Sequence, residues 1–166
     1  MISTFLVEHA PLVRVAFWVG VTVAAGLAWA LHRLRLRGVM LGLSGLSFIA
    51  VLVLTLLPDG ARPDGVACTV QFSVPFQGLD TLANVAMLLP LALFLGTATN
   101  RPLSVLAGAV ALSAVIEVVQ ALAPVLGRRC DTNDWFMNSV GAVLGAAMAL
   151  AICAIDRRRR AASVSA

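Results

Sequence analysis

Residues 39–57 read VMLGLSGLSFIAVLVLTLL, and none of them carries a charge. At about 1.5 Å of rise per residue, a helix of this length comes close to crossing the roughly 30 Å of hydrocarbon in a bilayer. On either side the pattern repeats, with apolar runs at about Pro11–Leu31, Thr81–Thr99, Leu103–Leu126 and Trp135–Ile155. The chain is 60% apolar and only 12% charged, with a mean hydropathy of +0.96. That composition excludes a soluble domain with a water-facing surface and predicts an all-α integral membrane bundle of about five transmembrane helices. The 166 residues form one domain, closed by a basic segment at 157–166.

Every basic side chain other than histidine is an arginine, and the formal net charge is +4. A nucleic-acid partner is not expected, because the arginines sit at span ends rather than along an amphipathic face interleaved with aromatics. Ala28-Trp29-Ala30 imitates a signal-peptide cleavage site, yet the cluster Arg33, Arg35 and Arg37 follows the apolar run instead of preceding it. The first run therefore reads as a retained helix. Five spans with a cytoplasmic carboxyl end place Arg33, Arg35, Arg37, Arg101 and Arg157 to Arg160 inside, against Arg14, Arg62, Arg128 and Arg129 outside. By the positive-inside rule this predicts a multi-pass protein of the cell membrane with its amino end outside. Six acids (Glu8, Asp59, Asp64, Asp80, Asp131, Asp134) then lie outside as well.

Pro58-Asp59-Gly60 ends the second span and opens the longest connection, which reaches Asp80. Phe72, Pro75 and Phe76 make it too apolar for a free linker, so part of it should lie in the interface or fold over the bundle. In the third span Asn84 stands one turn in, and Pro90, near the middle, is expected to kink the helix.

Polar residues recur at helical spacing in the last two spans. Ser113, Glu117, Gln120 and Pro124 step along one face of the fourth, and Asp134, Asn138, Gly141 and Gly145 along one face of the fifth. An ionisable group near a helix centre costs about 2.5–3.5 kcal/mol on insertion scales, so Glu117 should face protein or water near the midplane. Asp134 at the first turn of the fifth span is a candidate cap for its free amides. Gly141-Ala-Val-Leu-Gly145 is a G-x-x-x-G seam, usable for packing within the chain or in a homo-oligomer. With Asp80, Asn84, Arg128 and Asp131, these residues suggest a three-walled polar site built by the third, fourth and fifth helices and open to the outside.

Two readings of that set stand side by side. One is a hydrogen-bond network that pins the helices together; the other is a ligand site formed by Asn84, Glu117, Gln120, Arg128, Asp131, Asp134 and Asn138. Glu117, Asp131 and Asp134 offer oxygen ligands for a hard cation, but their spacing matches no metal motif, so neither a metal nor a cofactor is expected. Ser113 has no histidine partner in the spans for a hydrolase triad. Cys68 and Cys130 both fall on the oxidising side and form a candidate disulfide, with Cys153 near the inner end of the last helix.

The ordered series Asn84, Pro90, Glu117, Gln120, Arg128, Asp131, Asp134, Asn138, Gly141 and Gly145 resembles the VanZ-like membrane protein family. It follows the family pattern N-x-x-x-F-x-P-L-G, then E-x-x-Q, then R-x-x-D-x-x-D-x-x-x-N-x-x-G. Ala92 replaces the glycine after Pro-Leu, and leucine replaces the aromatic before it. The resemblance covers roughly Phe72 to Ala149 and implies a multi-span membrane protein of the cell envelope. The family is named from a member associated with resistance to the lipoglycopeptide antibiotic teicoplanin. Together with the placement of the polar groups, it points to recognition of a membrane lipid, a lipid-linked molecule or a glycopeptide-type amphiphile, with Arg128 meeting a phosphate or carboxylate. The alternatives are an enzyme acting on a lipid headgroup or cell-wall precursor, with Glu117 and Asp134 as acid and base, and a structural or partner-binding protein.

Overall fold

The computed structural model describes residues 9–58 and 68–164. The charged positions Glu8, Asp59, Arg62 and Asp64, and the turn residue Gly60, lie outside the described residues. Five helices carry the fold: α1 (Ala10–Arg33), α2 (Arg37–Leu56), α3 (Leu79–Thr99), α4 (Pro102–Leu122) and α5 (Thr132–Val164). All five are long and apolar enough to cross a membrane. A single 3-10 turn, Pro124–Leu126, follows α4, and two-residue strands β1 (Cys68–Thr69) and β2 (Cys130–Asp131) pair in parallel, Cys68 opposite Cys130.

Two short joints make neighbouring helices antiparallel. Between α1 and α2, Arg35 takes a left-handed φ of 56°, which lets the Arg35 and Leu36 amides bond back to the His32 and Leu31 carbonyls. Between α3 and α4, Asn100 does the same at φ 55°, and Pro102 opens α4 at the position where its missing N–H costs nothing. Asparagine tolerates that left-handed region because its short side chain relieves the usual steric penalty.

The central helix is α3. Two thirds of its spanning window, 67%, is buried, against 6% for α1, so the bundle is assembled around α3 with α1 at its margin. The most apolar helix by hydropathy is α2, and it is mostly exposed. This ordering is the reverse of a soluble core, since lipid tails solvate Leu, Ile and Val as well as another helix does. Leu46, Ile49, Val53 and Leu54 on α2, and Val115, Val118 and Leu122 on α4, form outward apolar faces of that kind. Hydroxyls inside the spans return to their own helix: Ser44, Thr55 and Thr97 donate to the carbonyls of Met40, Val51 and Leu93.

Against α3 lies α5, at very close range. A Cβ at Gly141 would run into the carbonyl oxygen of Val85, and one at Gly145 into that of Leu89. Buried Ala142, Ala146 and Ala149 extend the same small-residue face. The G-x-x-x-G seam is thus occupied within the chain, which leaves neither glycine available for contact with a second copy.

Several boundaries differ from the sequence reading. The fourth span stops at Leu122, because Ala123, preceding proline, leaves the helical region (φ −116°, ψ 76°). Pro124 consequently falls outside α4, and Glu117 lies midway between the centre of α4 at Leu112 and its end at Leu122. At its other end the chain is more helical than expected: α5 starts at Thr132 and continues through the arginine run to Val164. Through Pro90, α3 is unbroken.

After β1 the connection folds over one end of the bundle. Phe72 meets the edge of Phe136 at 5.6 Å, Phe76 packs against Phe17 and Trp18 of α1, and Arg14 donates to the Gln77 carbonyl at 2.7 Å. At the opposite end His32 of α1 stands 3.5 Å from Asp156 of α5.

Two measurements check this packing. Gly141→Leu and Gly145→Leu are expected to lower resistance to unfolding in sodium dodecyl sulfate mixed micelles by about 1–3 kcal/mol or more, because the obstacle is backbone and cannot yield. Gly42→Leu, where an added Cβ meets nothing, should leave unfolding nearly unchanged.

Candidate functional site

The chemistry collects at the end where β1 and β2 pair, and it begins with Asp131. A disulfide joins Cys68 to Cys130, fixing the connection beside the start of α5. The next residue, Asp131, then makes three links. Its backbone amide donates to Glu117 Oε2 (2.8 Å), its Oδ1 accepts from the Asn133 amide (2.8 Å), and its Oδ2 accepts from Gln71 Nε2 (2.6 Å). The second of these is an N-terminal cap. Asp131 therefore takes the capping role that the sequence suggested for Asp134, since its side chain reaches the second amide of the helix while that of Asp134 turns toward α3.

Asp134 Oδ1 accepts from Asn84 Nδ2 at 2.5 Å, linking α5 to α3. One turn further on, Asn138 Nδ2 donates to Ser113 Oγ of α4 (3.1 Å), while the buried Asn138 Oδ1 has no partner among the described residues. Gln120 Nε2 donates to the Thr55 carbonyl of α2 (2.9 Å). Arg128 Nε donates to the carbonyl of Leu57 (3.1 Å), the residue that closes α2, where a cation also complements the negative end of the helix.

These partners divide the sequence candidates into two groups. Glu117, Gln120, Arg128 and Asn138 bridge elements: each bonds a group on another helix, on a capping residue or on β2. Glu117, only 7% exposed, holds the strand pair against α4. No direct bond joins it to Asp134, and Arg128 meets a carbonyl instead of a carboxylate, because the long side chain reaches across to the end of α2. Asn84, Asp131 and Asp134, which also bond across elements, line a cavity of about 560 Å³ as well.

That cavity has walls other than those expected. They are the start of α3 (Asp80, Thr81, Asn84), the start of α5 (Asn133, Asp134) with Asp131, and the connection itself (Gln71, Ser73, Gln77). The polar face of α4 lies behind these walls and contributes no lining residue. Among the described residues three carboxylates and several amides face the space, and no basic side chain does. Among the described residues no group of three His, Cys, Asp or Glu side chains is placed to hold a metal ion.

Gln71, Ser73, Gln77, Thr81 and Asn133 escaped the sequence reading. Helical periodicity carries no information about a non-helical connection, and Gln71 and Ser73 reach α5 only through the disulfide register: the Gln71 amide donates to Thr132 Oγ1 (3.0 Å) and the Ser73 amide to Asn133 Oδ1 (2.8 Å). The nearest signal was the Cys68 and Cys130 pair, which brings these segments side by side.

Glu117 can be tested as a tie. Glu117→Gln keeps an oxygen acceptor for the Asp131 amide and should unfold close to wild type. Glu117→Leu leaves that amide unpaired and should cost about 1–3 kcal/mol in the same mixed-micelle unfolding assay. Alkylation followed by mass measurement is expected to label one thiol, Cys153, without reductant and three after reduction.

The comparisons with known proteins bear on this arrangement. Neither the curated proteins nor the solved structures contain a significant match. A family model described as VanZ/LLP1 matches residues 44–154, a stretch that takes in α3, α4, the strand pair, most of α2 and most of α5. This multi-pass membrane protein, with its polar residues shared between helix ties and a cavity, belongs to the VanZ/LLP1 family.

Proposed function

We propose that the chain recognises an amphiphile, taking a donor-rich polar head into the cavity between α3, α5 and the connection while the apolar tail stays in the bilayer. The observation that carries this reading is the lining: among the described residues it holds Asp80, Asp131 and Asp134 with Asn84, Asn133 and Gln71, and no arginine. Carboxylates and amides accept hydrogen bonds from hydroxyl, amide and ammonium groups, and they repel a phosphate. The head is accordingly a glycosyl or amino-bearing group, as in a lipid-linked sugar or a lipoglycopeptide. The phosphate contact expected of Arg128 is not part of this reading, since Arg128 donates its Nε to the Leu57 carbonyl and is not among the residues that line the cavity.

Two observations support placing this end of the bundle outside the cell membrane. Among the described residues arginines concentrate at the opposite end, eight against three, and the cavity end carries the Cys68–Cys130 disulfide, a bond suited to an oxidising compartment. An acid–base role for Glu117 finds no support in the geometry, because its carboxylate is buried behind the cavity wall and satisfied by a backbone amide.

Asp80 suits the test, being exposed, part of the lining and outside the helix ties described above. Binding of teicoplanin and of a prenyl-linked N-acetylglucosamine to the detergent-purified chain would be followed by microscale thermophoresis. A saturable signal is expected, weakened about tenfold or more by Asp80→Ala, since a hydrogen bond to a charged group is worth about 1.5–3 kcal/mol. Arg128→Gln should change it by less than about threefold. Absence of binding by both probes, or loss with Arg128→Gln but not Asp80→Ala, would sink the reading.

A further inference from the structure

A second opening lies at the other end of the bundle and has the opposite character. Between α2 and α4, floored by α3, runs a groove of about 740 Å³. Its walls are apolar, with Leu41 and Phe48 on one side and Val105 and Leu112 on the other, above Leu91 and Leu95. Gly45 and Gly108 face each other across it, and a Cβ at either would meet nothing within 4 Å. The groove is hollow where those two side chains are missing. Of its three hydroxyl residues, Ser44 and Thr99 donate to their own helices, to Met40 and Leu95, and Ser104 lies three residues from Arg101 at the mouth.

Among the described residues one charged residue lines the groove: Arg101, the capping residue of α4, stands exposed at its mouth, and its guanidinium makes no hydrogen bond or ion pair to any described residue. From Arg101 to Leu112 is about 16 Å of helix axis, close to half of the roughly 30 Å hydrocarbon thickness. The groove therefore runs from the headgroup level to the middle of the bilayer, the depth of one leaflet.

We propose that this groove holds one acyl chain of a phospholipid whose phosphate sits on Arg101. The match is one of charge and length together. A guanidinium without a protein partner faces the level of the phosphates, and an apolar channel of one-leaflet depth leads away from it. Burial of the chain draws on shape, since lipid tails compete for any apolar wall, and the missing side chains at Gly45 and Gly108 supply that shape. This site is separate from the acidic cavity: it lies toward the opposite end of α3 and shares no lining residue with it.

Native mass spectrometry of the full chain, released from mild detergent, tests the proposal with phosphatidylglycerol and the diacylglycerol of the same acyl chains as probes. Wild type is expected to retain one phosphatidylglycerol about tenfold more tightly than one diacylglycerol. Arg101→Gln should narrow that preference to within about twofold while still binding both. Gly45→Leu combined with Gly108→Leu fills the groove without a backbone clash and should abolish the tight binding of either lipid. Equal retention of the two lipids by wild type, a preference unmoved by Arg101→Gln, or unchanged binding in the filled variant would each overturn the proposal. So would a dimer peak lost on filling the groove, which would make a second copy of the chain the occupant.

Discussion

The contact on which the rest of the structure depends is the approach of two backbones, α5 against α3, at Gly141 and Gly145. Neither position has room for a side chain, because the Val85 and Leu89 carbonyls occupy the space a Cβ would need. In a bilayer no hydrophobic force drives helices together, so close packing and hydrogen bonds between helices must do it. Once α5 is seated, Asp134 lies within reach of Asn84, and Asn138, one turn on, faces Ser113 of α4. The glycine seam sets the distance between helices, and the polar residues above it set the register.

Most of the polar groups that look anomalous in an apolar chain are thereby accounted for. Glu117 and Gln120, one turn apart on α4, serve two neighbours: the carboxylate accepts from Asp131 at the end of β2, and the amide donates to the end of α2. Removing a partner from such a bond leaves a buried group unsatisfied, which costs more than the bond itself contributes. A glutamate buried between helices is therefore as well explained by architecture as by catalysis, and here its geometry agrees with architecture.

The two ends of the molecule are built for different surroundings. At the disulfide end a connection folds back over α3 and α5, closing a small acidic space between non-helical chain and helix starts. At the other end tight joints at Arg35 and Asn100 leave the helices bare, and α2 and α4 diverge over α3 to form an apolar groove. Both openings border α3, a helix packed against all four others.

Much of this was legible in the chain itself. Long apolar runs determined the number of spans, because hydrocarbon admits a long backbone only as a helix with its own hydrogen bonds satisfied. Spacing of four and three determined that Asp134, Asn138, Gly141 and Gly145 share a face, since 3.6 residues make a turn. What spacing leaves open is which way a face points and what it meets. Only the tertiary structure decided that Gly141 and Gly145 turn to α3, that Arg128 serves a carbonyl of α2, and that Gln71 and Asn133 join the cavity wall while Glu117 does not. Those outcomes depend on the rotation of each helix about its axis and on the path of a connection with no period, and both are set by contacts between residues distant in sequence.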